Sequence, residues 1–194
     1  MSMLKIGSIK NLEIFSGQIM TRVIAGENEE SVGAFRVVVP KAITTEGTID
    51  KNELPEEQLK LVPDDKRITQ QGDVVIKLST PYDSAVITEE FAGCVVPSFC
   101  AIIRNKSNID TDYLQAFLSS KLCKEQLKNQ VAGTVMTILT VGKIKDVEIP
   151  YITVKNQQEV GNQYKKAKAK IAIMKEIIEL ENKKNDVIFN GLVE

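Results

Sequence analysis

Few residues in this sequence can carry chemistry, and their spacing argues against most of it. Histidine is absent from all 194 residues, which removes the side chain that titrates near neutral pH and, with it, imidazole-based triads and metal sites. The three cysteines, Cys94, Cys100 and Cys123, form no CxxC pair. Cys94 and Cys100 lie in an apolar stretch and read as small buried hydrophobes in a reduced, cytosolic compartment. Gly142-Lys143 comes nearest to a P-loop, but Gly133 precedes it at the wrong spacing and neither Ser nor Thr follows the lysine. No GxGxxG turn is present to hold a dinucleotide or a methyl donor at a helix N-terminus. Pro63-Asp64 could open a metal-dependent nuclease core, yet no acidic-x-Lys triplet follows, Asp73 and Lys77 being four apart; turn residues explain them better. Asp110 and Asp112 in NIDTDYLQAFL read as the cap and first turn of a helix, where carboxylates meet free backbone amides. No catalytic residue, cofactor or metal is expected. An autonomous enzyme with a carboxylate site around Asp64, Asp65 and Asp73 stays as an alternative.

The elements that would position any binding residues follow from length and patterning. A chain of 194 residues, 43% hydrophobic, suffices for one domain with a sizeable core plus an appendage. No apolar run reaches the roughly 18 residues of a membrane span, and Met1 to Lys10 lacks a signal segment, so a soluble cytoplasmic protein is expected. Lys5 to Ile24 suggests two short strands, or a helix and a strand, around Ser16-Gly17-Gln18. Ala34 to Val39 reads as a strand stopped by Pro40, and Lys41 to Asp65 as a surface loop with a short helix. Val74 to Ser79, Ala85 to Ile87, Cys94 to Val96 and Ala101 to Arg104 make a strand-rich middle. One helix is predicted from Asp112 to Leu127, and a last short strand at Val147 to Pro150. The fold class is α+β: a compact, mixed, β-rich unit over residues 1–150 and a long helix over 151–194.

That helix carries the clearest periodic signal. Val160, Tyr164, Ala167, Ile171, Met174 and Ile178 are spaced 4, 3, 4, 3, 4, the seam of a coiled coil. Glu181 and Asn185 interrupt the register, and Ile177, Leu180, Val187 and Leu192 indicate a drifting stripe. From Asn156 to Asn190 the helix would extend on the order of 50 Å, too far for a small domain to bury. Its apolar stripe calls for a partner helix. Lys165, Lys166, Lys168 and Lys170 could track phosphates, but they interleave with the seam and precede Glu176, Glu179 and Glu181, as a solvated helix face does. Charge is nearly balanced overall, net −3 over residues 1–154 and +2 over 155–194, so any nucleic-acid binding must rest on a local patch or a basic partner.

Three segments resemble half of a type I restriction–modification specificity subunit. QGDVVIKLS (Gln71 to Ser79) is similar to that family's glycine-aspartate turn and strand. FCAIIRNKSNIDTDYLQAFLSS (Phe99 to Ser120) is similar to its strand, link and helix. AGTVMTILTVGKIKDVEIP (Ala132 to Pro150) is similar to its closing segment, although Tyr151 and Gln157-Gln158 stand where a proline pair and Glu-Gln are common. The resemblance implies a DNA-target-recognition domain and a spacer helix. Two copies would pair their helices antiparallel and read a bipartite, inverted double-stranded DNA target for a methyltransferase subunit, with a restriction/translocase subunit as a further candidate partner. In that reading the DNA-binding residues are Lys77, Ser79 and Thr80, then Thr134, Thr137, Thr140 and Lys143, with Arg22 and Arg36 as weaker choices. A specificity-like decoy or regulatory protein that docks on a methyltransferase without reading DNA is the other reading, favoured by the acidic core.

Overall fold

A computed structural model describes residues 2–132 and 138–193, without the side chains of 192 and 193. In chain order the elements are β1 (Ser2–Lys5), β2 (Leu12–Ser16), β3 (Gly33–Arg36), β4 (Glu56–Leu59), β5 (Val74–Lys77), β6 (Ser84–Val86), β7 (Cys100–Asn105), α1 (Thr111–Ser119), α2 (Lys121–Val131), α3 (Val141–Lys145), β8 (Glu148–Tyr151) and α4 (Val154–Val193), with short 3-10 turns between the strands. The α+β architecture with a long C-terminal helix is as the sequence predicts.

The central sheet runs β2-β7-β5-β6, with every neighbouring pair antiparallel. Its middle strands are apolar at successive positions because both faces are covered. Side chains alternate, so Val74, Ile76, Ala101 and Ile103 join the core built with Leu114, Phe117 and Leu118 of α1. Val75, Cys100 and Ile102 join a second core with Ile43, Phe91 and Val96. A ribbon of β3 and β4 closes a smaller cluster of Val23, Val37, Leu59 and Val95. β1 and β8 pair as a second ribbon, which accepts Pro150 opposite Met3 because a two-stranded ribbon leaves one backbone edge without a ladder.

Three elements differ from the sequence expectation. β4 lies in the stretch expected to be loop with a short helix; only Leu59 of its four residues is buried, so the segment has no period to announce it. Cys94 to Val96 is no strand of its own but makes isolated bridges from Val95 to Val37 and Ile68. The single helix expected from Asp112 to Leu127 is two, because the Ser120 side chain accepts from the Cys123 amide and starts α2 afresh. Asp110 caps α1 by accepting from the Tyr113 amide at 2.9 Å, and this accounts for the acidic pair there.

All three thiols are free and buried, and burial pushes those of Cys100 and Cys123 up to about 12. In the unfolded chain both ionise near the ordinary thiol value of 9.0 while the folded protein keeps them protonated, so the unfolded state binds fewer protons and stability falls as pH rises. Urea midpoints are therefore expected to decline between the two values. Replacing both residues with Ala should flatten that decline, and an unchanged slope would refute the assignment.

The first half of α4 is clamped to α1. Gln157, fully buried, accepts from the Asp110 amide at 2.9 Å and donates to the Ile152 carbonyl at 2.9 Å. Gly161 has to be glycine-sized: a Cβ there would lie 2.8 Å from both the Asp110 Oδ1 and the Tyr113 amide nitrogen. Tyr164 follows, its hydroxyl 2.8 Å from Ser119 Oγ. Lys165 pairs with Asp112, Lys168 donates to the Thr45 carbonyl and Lys175 pairs with Glu46. Three lysines in or beside the sequence's basic run thus hold the helix to the globular part. Residues 176–191 are all exposed; the 40-residue helix spans about 60 Å at about 1.5 Å per residue.

Candidate nucleic-acid interface

Antiparallel pairing brings the end of β5, the start of β7 and the end of β2 to one side of the central sheet: Lys77 lies opposite Cys100, and Ser16 opposite Ala101. The loops leaving these strands meet there. Gly17 donates to the Cys100 carbonyl at 3.1 Å and Gln18 to the Val96 carbonyl at 2.7 Å, while the Ser98 amide returns to Gln18. A Cβ on Gly17 would stand 2.1 Å from the Pro97 oxygen, so only glycine lets the two loops approach this closely. The Leu78 amide donates to the Phe99 carbonyl at 3.0 Å, and the Leu139 amide donates to the Leu78 carbonyl at 2.8 Å.

That last bond joins two segments more than fifty residues apart, both of which carry candidate residues implied by the family resemblance. Ser79 and Thr80, both exposed, follow Leu78, whereas exposed Thr140 follows Leu139. Thr140 caps α3 by accepting from the Lys143 amide at 3.3 Å, so one hydroxyl fixes the turn that presents Lys143. Thr134 and Thr137 lie outside the described residues. Lys77 sits at the same end, but its ammonium is 3.2 Å from Asp83, which Lys124 also reaches at 3.0 Å, and its side chain is only 14% exposed. Arg22 is exposed on the 3-10 turn Met20–Arg22 that follows the Gly17–Gln18 loop. Arg36 stands apart, on β3, with its guanidinium donating to the Glu90 carbonyl at 2.7 Å.

Two basic residues here were not selected from the sequence. Arg67 donates to the Gly17 carbonyl at 3.0 Å, and Lys66 lies 5.8 Å from the Phe15 ring centroid. With Ser16, Asp64 and Val141 they line a depression of about 300 Å³ beside the same loops. The 3-10 turn Asp65–Arg67 that holds them is capped by Asp64, which accepts from the Lys66 amide at 2.8 Å. Lys66 and Arg67 thus stand with Asp64 beside the Gly17 loop, and α3, which carries Lys143, reaches the same depression through Val141.

Asp73 does no chemistry of this kind. Both its oxygens receive the Arg104 guanidinium, at 3.0 and 2.8 Å, and one also accepts from the Gln70 amide. Of the seam residues on α4, Val160, Ala167, Ile171, Met174 and Ile178 are exposed. Tyr164 is turned inward instead, because at 3.6 residues per turn it shares the α1-facing row with Gln157, Gly161 and Lys168, and because its hydroxyl finds Ser119 there. No described helix is long and apolar enough to cross a membrane.

No protein-family model and no curated protein matches the chain, but solved structures do. The HsdS subunit from Thermoanaerobacter tengcongensis superposes with a TM-score of 0.58 at 16% identity, over 90% of this chain and 45% of that one. A chain from a structure on complex assembly and conformational transition of the type I restriction–modification system gives 0.60 at 17% identity, over 90% of this chain and 46% of that one. The type IIG restriction endonuclease BpuSI gives 0.57 at 8% identity, over 84% of this chain and 26% of that one. The fold is that of a type I specificity subunit, and the chain spans just under half the length of the first two structures it matches.

Proposed function

We propose that this chain is a DNA-recognition element of a type I restriction–modification assembly, residues 1–150 being the target-recognition domain and 151–194 the helix that pairs with a second copy. It performs no reaction itself; it binds duplex DNA and holds a methyltransferase subunit, and with it a restriction/translocase subunit, at the target. The observation that supports this reading is the 2.8 Å bond from Leu139 to Leu78, which joins the segment of Ser79 and Thr80 to that of Thr140 and Lys143 at the end of the sheet where Arg67 holds the Gly17 loop. Hydroxyls there can meet base edges, and the cations can meet phosphates that fix the register. Affinity for the backbone depends on the charges at the interface and not on the net charge of the chain, so the acidic balance of residues 1–154 is compatible with it.

The test is to co-purify the chain with its methyltransferase partner and to map methylated positions in host DNA. A split motif with inverted halves supports the reading; methylation unchanged when the chain is deleted overturns it. Lys143→Ala together with Arg22→Ala is expected to weaken binding to duplexes of any sequence. The same pair should lower the slope of log affinity against log salt by about one per lost phosphate contact. If affinity for the duplex and its salt dependence both stay at the wild-type values, this end of the sheet is not the DNA face and the decoy reading is favoured.

A further inference from the structure

The same end of the sheet exposes a group of large apolar side chains that phosphate contacts do not explain. Phe99 is 61% exposed, and Ile19 and Ile138, both also exposed, are carried on the two segments bonded to its neighbours. Gln18, just before Ile19, exchanges backbone bonds with the Val96–Ser98 stretch, and Leu139, just after Ile138, bonds to Leu78, which itself bonds to the Phe99 carbonyl. Phe99 is not on a loose tip. It occupies a tight turn closed by the Cys100 amide on the Pro97 carbonyl at 2.9 Å, and the next residue begins β7, the strand buried on both faces. Its backbone is thus fixed by the sheet while its ring stays in water.

An aromatic ring in solvent gains apolar burial only when it meets a partner, and here the backbone that carries it is already ordered. Ser79, Thr80 and Thr140, all exposed, follow Leu78 and Leu139, the residues bonded in series to its backbone, and Arg67 holds the Gly17 loop that bonds to Cys100 beside it. An apolar side chain on an ordered turn, with hydroxyl-bearing segments bonded beside it, matches the stacked, apolar interior of a duplex. We infer that Phe99, supported by Ile19 and Ile138, is a base-contacting residue that sets preference at one position of the target, by stacking at a base step or against a thymine methyl. This rests on the DNA-recognition reading and goes beyond it, because it assigns specificity to a side chain with no hydrogen-bonding group.

The experiment selects duplexes from a random-sequence library with the full chain assembled with its methyltransferase subunit, comparing wild type, Phe99→Ala, Phe99→Trp and Tyr151→Ala. Tyr151 is an exposed aromatic on β8, outside the loop cluster. Phe99→Ala is expected to enrich a motif that has lost preference at one position or at two adjacent ones. It should bind the wild-type motif about tenfold more weakly, the scale of a lost stacking contact, with an unchanged salt slope. Phe99→Trp should restore the motif, and Tyr151→Ala should match wild type. Because Phe99 is exposed, the Ala variant should unfold at the wild-type temperature. An identical motif bound with identical affinity by Phe99→Ala would overturn the inference while leaving the DNA reading intact. Loss of the methyltransferase with unchanged selection would make the patch a protein-docking face and overturn it as well. A wild-type assembly that enriches no sequence at all refutes the DNA reading itself.

Discussion

Arg104→Met is expected to cost about 3–5 kcal/mol of folding stability, the range for leaving one partner of a buried ion pair alone. Thermal unfolding should register it as a drop of about 10 °C or more for a chain of this size. Arg104 sits on β7, between β2 and β5, with its guanidinium almost wholly covered. It makes two bonds to Asp73 and further bonds to the carbonyls of Ile68 at 2.8 Å and Asp65 at 3.3 Å, and its planar head lies 5.5 Å from the Phe15 ring centroid. Asp73 holds its charge above all, and the guanidinium pKa is raised. Removing the arginine would strand a carboxylate that is 2% exposed, together with two carbonyls. Asp73→Asn with Arg104→Met should therefore cost less than the sum of the two single substitutions, because neither charge is then left alone. Strict additivity in urea unfolding would contradict the pair's coupling.

The reading of Asp73 shows where sequence reasoning reached and where it stopped. Its place in a glycine-aspartate turn before an apolar strand was legible, and so was the preference for a structural role over a metal-binding one. Its partner was not, because Arg104 lies thirty-one residues away and an arginine inside a strand carries no local signal of the carboxylate it will meet. The same limit explains the site. Ser79, Thr80, Thr140 and Lys143 could be selected from loops that resemble a family's, and the helix cap at Asp110 from its spacing alone. Arg67 and Lys66 could not, since they sit in a polar stretch without period, and only the fold sets them beside Gly17 and Val141. Phe99 opens a segment whose pattern predicts a strand; that its ring stays in water follows from the turn at Pro97, a tertiary fact. On α4 five of the six heptad positions are exposed, as are the apolar residues of a neighbouring row. Tyr164 was the exception, because periodicity cannot say which of two adjacent rows the globular part will cover.

Ile171→Glu combined with Ile178→Glu is expected to abolish pairing of the chain through α4. Beyond Lys175 the helix has no contact with the globular part among the described hydrogen bonds and ion pairs, yet Ile171, Met174, Ile178 and Phe189 return to one side of it, all exposed. Water around such a stripe is displaced only by a second apolar surface, and a helix of matching length can supply one along the whole of it. In a two-fold assembly each substitution occurs twice, so four carboxylates buried without a partner, at about 3 kcal/mol each, weaken association by about a hundred-million-fold, enough to abolish it. Light scattering should then give the mass of one chain where the wild type gives two, and Ile178→Glu alone, beyond the last contact at Lys175, should leave the melting of the globular part unchanged. Lys183→Glu supplies the control. It also adds negative charge, it breaks only an exposed pair with Glu179, and it lies well round the helix from the stripe. Equal loss of association in the control would mean that net charge and not the seam is responsible. A second apolar row, Ile173, Ile177, Leu180 and Val187, runs along another side of the same helix and is just as exposed. Leu180→Glu therefore separates two kinds of partner: if it leaves the mass of the paired chain unchanged while the methyltransferase no longer co-purifies, the two rows hold different partners, and if it dissociates the pair, both rows belong to one interface.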